Sequence, residues 1–187
     1  MYGRSELYYH ADTTVAGANC CILQYTGKEC DVSPYCYDYE DIKCVPIVHA
    51  EAAWQSPETG QIYILVLHEA LWMGDTLYHT LVNPNKLRLY GTRFQDIPRS
   101  EIPLYIITED GGFTMELSME GNIVFSNTHT PFYKQLQEFK HINLSSSHPW
   151  DPIKVCFPKF CPSLEEEVGG LQYISNVVTS HSEEEDD

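Results

Sequence analysis

The apolar residues of this chain occur in short runs of strand length, and turn signals separate the runs. In Phe113–Met119 every odd-numbered residue is apolar and every even-numbered residue is polar. A period of two is typical of a half-buried strand, because alternate side chains point to opposite faces. Gly121-Asn122 then predicts a hairpin turn before the next apolar run. The other predicted strands lie within Val15–Tyr25, Val45–His49, Ile62–His68, Leu104–Thr108 and Asn122–Ser126.

Helical periodicity is scarce. Asn85–Tyr90 has the length of a short helix, and Gly91 supplies a residue suited to ending it. Pro131–Phe139 is the second candidate. The pattern therefore predicts an all-β protein with one or two short helices.

The formal net charge of −16 over 187 residues argues against a nucleic-acid partner, which would need clustered basic residues. Half of this excess comes from Leu164–Asp187, which contains eight acidic residues and no lysine or arginine. We interpret that stretch as a solvated, disordered tail. No apolar run of about 18 residues predicts a membrane span, and Met1–His10 lacks the apolar core of a signal peptide. These features favour an intracellular, cytoplasmic protein without a membrane partner.

The seven cysteines and eight histidines do not follow a metal-binding or redox motif. No His-x3-His or Cys-x-x-Cys spacing occurs, so the sequence predicts neither a metal ion nor another cofactor. Free thiols in a reducing compartment are the expected state of the cysteines.

The segment Glu6–Val15, Glu-Leu-Tyr-Tyr-His-Ala-Asp-Thr-Thr-Val, resembles the active-site strand and turn of retroelement aspartic proteases. The family pattern is two apolar residues, Asp, Thr or Ser, Gly and Ala, often followed by Asp-x-Thr-Val. Ala11, Asp12, Thr14 and Val15 match the second half of that pattern in register.

Three later segments match further landmarks in the same order. Thr80–Gly91 resembles the apolar segment that leads into a C-terminal helix, with Leu81, Leu87 and Gly91 at the matching spacing. Glu69–Met73 resembles the strand before it, and Phe113–Phe125 resembles the hairpin that closes the Copia-type region. Over roughly residues 4 to 126 the chain therefore resembles a Copia-like retrotransposon protease.

This resemblance implies a retropepsin-like acid-protease half-barrel with a C-terminal β-hairpin extension, over residues 4–126. An irregular Pro-rich segment is expected over residues 127–163, and the acidic tail over residues 164–187. No zinc knuckle or integrase His/Cys motif accompanies the protease-like region.

An aspartic protease needs two carboxyls that share one water and titrate as a unit. In the retroelement version each subunit of a homodimer donates one Asp, so the resemblance implies a homodimer. The position of that Asp is occupied by Tyr8, whose phenol, with a pKa of about 10, cannot act as the ionised partner. Tyr9 and His10 occupy the positions of the usual hydroxyl residue and glycine.

Asp12 has three open roles: it lines the groove and contacts substrate backbone, it caps a surface turn, or it replaces the missing catalytic acid. With Asp12, the resemblance assigns Thr13, Trp54 and Val82 to peptide binding. Thr59-Gly60 is either a flap tip over that groove or an ordinary hairpin turn.

The resulting expectation is a retrotransposon-derived aspartic endopeptidase domain that ancestrally processed a polyprotein and is catalytically inactive in this copy. The alternative is a peptide-binding or dimerisation module on the same fold, which holds an extended peptide without cutting it.

Overall fold

The structure is a computed structural model that describes residues 13–33, 40–97 and 103–148, and the backbone of residues 3–6. These residues belong to one compact unit, Met1–Val155; a second unit, Cys156–Asp187, lies outside the described residues. The described part contains eleven strands and two short helices, which confirms the prediction of an all-β protein. Those strands do not form a closed barrel.

The strands, in chain order, are β1 (Gly3–Glu6), β2 (Val15–Gly17), β3 (Cys21–Val32), β4 (Ile42–Gln55), β5 (Ile62–Gly74), β6 (Arg93–Gln95), β7 (Tyr105–Ile107), β8 (Thr114–Glu116), β9 (Ser118–Glu120), β10 (Ile123–His129) and β11 (His141–Asn143).

Eight strands form the main sheet, and the antiparallel pair β4 and β5 is its centre. The path across the sheet is β1-β10-β4-β5-β11, while β3 pairs with β4, β2 with β5 and β9 with β10. Both β2 and β11 run parallel to β5. The remaining strands, β6, β7 and β8, form a small antiparallel sheet.

The core lies between these two sheets. Along β4, Val48, Ala50, Ala52 and Trp54 alternate toward the core, as period-two geometry requires. We call this the core face of the main sheet, and we call the opposite face, which carries His49, the outer face. The core face also includes Ala16 of β2 and Leu65 and Leu67 of β5. It packs against residues in and next to the strands of the small sheet: Phe94, Ile106, Phe113 and Met115.

Both predicted helices are present. Helix α1 (Pro84–Leu89) begins after Asn83, whose side-chain oxygen accepts hydrogen bonds from the N–H groups of Asn85 and Lys86. Gly91 adopts a φ of 84°, a conformation that favours glycine, just beyond the end of the helix. Helix α2 (Tyr133–Glu138) lies within the second predicted segment.

The predicted strand Phe113–Met119 is two strands that belong to different sheets. β8 pairs with β7 in the small sheet, whereas β9 pairs with β10 in the main sheet. The alternation holds for Phe113 and Met115, which are buried, but Met119 is 44% exposed because its strand has left the core. The predicted hairpin is confirmed: β9 and β10 meet at Gly121, which has a φ of 64°.

Part of the segment that was expected to be irregular, residues 127–163, contains regular elements. β10 continues to His129, α2 follows, and β11 then pairs in parallel with β5. Residues 127–148 thus complete the main sheet; residues 149–163 and the acidic tail lie outside the described residues.

Candidate functional site

Thr14 and Val15, which follow the predicted active-site turn, lie between Leu71 and Leu81, two residues far from them in sequence. The N–H of Val15 donates to the carbonyl of Leu81 over 2.8 Å, and the N–H of Leu81 donates back over 2.9 Å. On the other side the carbonyl of Thr14 accepts from the N–H of Leu71 over 2.9 Å. Val15, the last residue of the first segment that resembles a protease landmark, is therefore a neighbour in space of Leu81 in the second, Thr80–Gly91.

Helix α1 is fastened to Thr14 as well. The N–H of Asn83 donates to Oγ1 of Thr14 over 3.3 Å, across 69 residues of sequence. Because Asn83 also caps α1, the start of the helix is fixed relative to the residues that follow the predicted turn.

A group of uncharged polar side chains, which we call the threonine network, anchors the next residues. Oγ1 of Thr80 donates to Oδ1 of Asn19 over 2.7 Å, and it accepts the N–H of Gly17 over 3.2 Å. Nδ2 of Asn19 donates to Oγ1 of Thr128 in β10 over 2.7 Å. The Cys20 thiol contacts Thr80 Oγ1 at 3.0 Å, and burial raises its pKa to about 12. Cys20 is therefore a neutral structural thiol rather than a reactive one.

The predicted site residues are only partly within the described structure. Tyr8, Tyr9, His10 and Asp12 lie outside the described residues. Thr13 is half-buried and directly precedes Thr14. Val82 is 7% exposed and lines a core cavity of about 30 Å³, which has room for little more than a water molecule.

Trp54 lies in the core. Its exposed fraction is 4%, and its ring centroid is 5.6 Å from that of Phe113 and 5.9 Å from that of Tyr63. This packing leaves little of the indole for a bound peptide to contact. Beyond it, Thr59-Gly60 lies in the turn between β4 and β5, where the N–H of Ser56 donates to the Gln61 carbonyl over 2.9 Å.

A charged cluster that the sequence did not indicate lies where α1 meets β5. Lys86 of α1 is completely buried, and its Nζ donates to the carbonyls of His68 and Glu69 over 2.7 and 2.8 Å. Glu69 has a φ of 49°, so its backbone is in the left-handed region that side chains disfavour. We call this arrangement the lysine clasp, because one ammonium group holds an irregular point of β5.

Burial lowers the pKa of Lys86 to about 8, so the ammonium is still mostly protonated at pH 7. The Glu69 carboxylate accepts a 3.0 Å hydrogen bond from Lys28 of β3, which brings a second cation to the cluster.

Two histidines complete the cluster. Their Nδ1 atoms are 3.1 Å apart, and the rings of His49 and His68 meet edge to face. Nδ1 of His49 also accepts the N–H of Glu69 over 3.3 Å, and Nε2 of His68 lies 3.3 Å from Oδ1 of Asn143. Burial lowers the pKa of both rings, and the nearby Lys86 charge lowers it further. The pair is therefore neutral at pH 7.

Glu51 is a separate buried carboxyl on the outer face. It is 3% exposed, and its Oε1 lies 3.3 Å from Nε2 of His141 without hydrogen-bond geometry to any described residue. Burial raises its pKa, and the field of His141 opposes that rise.

The described residues contain no group of three or more His, Cys, Asp or Glu side chains that could hold a metal ion. They also contain no helix that is long and apolar enough to cross a membrane. In comparisons with known proteins, no family model, no curated protein and no solved structure matches the chain.

Proposed function

We propose that this chain is a retropepsin-like aspartic endopeptidase domain of retrotransposon origin that has lost its catalytic carboxylate. Its ancestral substrate is a polyprotein segment in extended conformation. The active unit is a homodimer, because each half-barrel contributes one position to the dyad.

The observation that carries this proposal is the pairing of Val15 with Leu81. The resemblance rests on two segments far apart in sequence, and a chance likeness would give no reason for them to meet. Their mutual hydrogen bonds, and the start of α1 directly after Asn83, are what a single active-site substructure requires. The all-β architecture supports the same proposal.

The loss of catalysis follows from the residue type at position 8. A general base must be ionised near the working pH, and a tyrosine phenol, with a pKa of about 10, is protonated there. The fold does not depend on that carboxylate, because the threonine network and the helix cap Asn83 are built from other residues. A peptide-binding or dimerisation role on the same fold is therefore the second function we propose.

The test compares cleavage of a mixed peptide library at pH 5 by the natural chain and by the double variant Tyr8→Asp, Tyr9→Ser. We expect only the double variant to cut, with loss of activity in the presence of a statine-type inhibitor. The matched control is Tyr8→Asn, Tyr9→Ser, which has the same shape without the carboxylate. Sedimentation of each protein reports the dimer independently of cleavage.

Cleavage by the natural chain would show that Tyr8 is not the dyad position, and Asp12→Asn would then be the next variant. A folded double variant that dimerises but never cuts would contradict the protease origin and favour the binding module.

A further inference from the structure

The outward edge of β11 is the strongest remaining feature. β11 pairs with β5 on one side, where the N–H of Ile64 donates to the Lys140 carbonyl and the N–H of Leu144 donates to the Val66 carbonyl. In a parallel ladder the bonding residues alternate. The N–H and C=O groups of His141 and Asn143 therefore point away from β5.

An open pocket of about 540 Å³ lies against that edge. Its lining includes Ile142 from the core face and Asn143 and His68 from the outer face, so the pocket faces the edge itself and not one face of the sheet. The opposite wall is the turn between β7 and β8, including Glu109 and Asp110. Its volume is within the range of about 300–1,000 Å³ typical of ligand pockets.

The backbone at this edge is held in place from both sides. His68 N–H donates to Oγ of Ser145 over 3.0 Å, and the lysine clasp binds the His68 carbonyl over 2.7 Å. The Leu144 carbonyl accepts from Oγ1 of Thr92 over 3.0 Å. These bonds fix the edge before a ligand arrives, which reduces the entropy lost on binding.

The charge of the far wall indicates the ligand's side chain. Asp110 accepts hydrogen bonds from Oγ1 of Thr108 and the N–H of Gly112, and these bonds lower its pKa, so it is ionised at neutral pH. Glu109 is exposed beside it, and the whole chain carries a net charge of −16. Lys140 is the single lysine or arginine among the lining residues.

We propose that an extended peptide segment with a lysine or arginine side chain adds as a strand to the outward edge of β11, opposite Glu109 and Asp110. His141 and Asn143 supply the main-chain hydrogen bonds, and the two carboxylates attract the basic side chain. This site is formed by β11 and the small sheet, so it does not depend on the proposed protease dyad.

The first experiment is hydrogen exchange by NMR on the full chain. In the free protein the amides of His141 and Asn143 should exchange much faster than those of Ile142 and Leu144. Equal protection of all four would overturn the proposal, because the edge would already be covered by this chain.

The second experiment titrates the acetylated, amidated pentapeptide Thr-Lys-Val-Lys-Thr into the full chain. We expect saturable binding that slows exchange of the two edge amides. The same peptide with N-methyl groups on alternate residues should bind at least about tenfold more weakly, because it cannot form the ladder. Equal affinity of both peptides, or absence of binding, would contradict strand addition.

The charge is tested separately with Thr-Glu-Val-Glu-Thr and with Glu109→Gln. The acidic peptide should bind more weakly than the basic one, and Glu109→Gln should reduce that difference. Asn143→Pro removes an outward N–H group, so the peptide should no longer slow amide exchange at this edge. Since a proline could disturb folding, the N-methylated peptide gives the same information on the unaltered protein.

Discussion

The threonine network and the lysine clasp both anchor irregular segments next to β5, but they use different chemistry. The network connects Thr80, Asn19 and Thr128 through neutral hydroxyl and amide groups, and its thiol stays protonated. The clasp buries an ammonium group against backbone carbonyls, beside two neutral imidazoles.

The difference predicts how each region responds to its surroundings. A neutral network exchanges hydrogen bonds with water for internal ones and does not titrate between about pH 4 and 10. A buried cation is stable only while its partners remain, and neighbouring imidazoles add like charge when they are protonated. The segment beside the proposed dyad is therefore held by the threonine network, whose stability should not depend on pH in this range.

The largest effect is expected from truncation of Lys86. Lys86→Ala removes a completely buried stem and leaves the carbonyls of His68 and Glu69 without their donor. It should lower the free energy of unfolding by about 3–5 kcal/mol, measured by urea denaturation. Lys86→Met keeps most of the stem and should lose only about 1–3 kcal/mol. Equal losses would show that the buried stem contributes nothing beyond the ammonium, and an unchanged stability of Lys86→Met would show that the ammonium contributes nothing beyond packing.

Thr80→Val should have the next largest effect, about 1–3 kcal/mol, because it leaves Asn19 Oδ1 and the N–H of Gly17 without their Thr80 partner in a buried site. The loss should be the same at pH 5 and pH 8. Thr114→Val, at an exposed position of β8, is the matched control and should be nearly neutral. A loss that varies strongly with pH would contradict a neutral network.

The sequence predicts the elements of the fold better than it predicts either cluster. The alternation that includes Phe113 and Met115 predicts a strand with one buried face, and these two residues are buried. Gly91 predicts the end of a short helix, and α1 ends just before it. No pattern indicates that Lys86 is buried, because lysines are almost always exposed unless a partner is present. That partner is the backbone of β5, which only the folded chain brings to the helix.

The other gaps have the same origin. β11 is three residues long and alternates two polar residues with Ile142, too short a pattern to separate a strand from a loop. The strand predicted over Phe113–Met119 divides because two sheets compete for it, and that competition is tertiary. Trp54 suits a groove in the sequence, but only packing against Phe113 reveals it as a core residue.

The third effect is pH-dependent and concerns His49 and His68. Burial lowers both pKa values in the folded state. Below about pH 6.5, the ordinary pKa of histidine, the unfolded chain therefore binds more protons than the folded chain. Stability should therefore be lost as the pH falls through about 6.5. Lys86, Lys28 and Glu69 face the pair, and the two cations oppose protonation. His49→Gln, His68→Gln should flatten the curve of unfolding free energy against pH in that window.

Glu51 acts in the opposite direction and provides the control for that profile. Its pKa is raised in the folded state, so its contribution to stability falls as the pH rises above its ordinary value of about 4.5. Glu51→Gln should remove the loss of stability that begins as the pH rises above about 4.5, and the opposite loss on acidification from the histidine pair should remain. If Glu51→Gln alone removed the loss below pH 6.5, the histidine pair would not be its source.

The smallest effect is expected from Lys28→Ala. Lys28 contacts Glu69 at 3.0 Å, like a member of the clasp, but 54% of its side chain is exposed. Water screens such a pair, so the loss should be only about 0–1 kcal/mol and should shrink in 1 M salt. Two lysines that serve the same residue of β5 would then differ several-fold in their contribution, because one is buried and the other is hydrated. A loss as large as that of Lys86→Ala would mean that the Glu69 carboxylate, and not the clasped backbone, holds this point of the sheet.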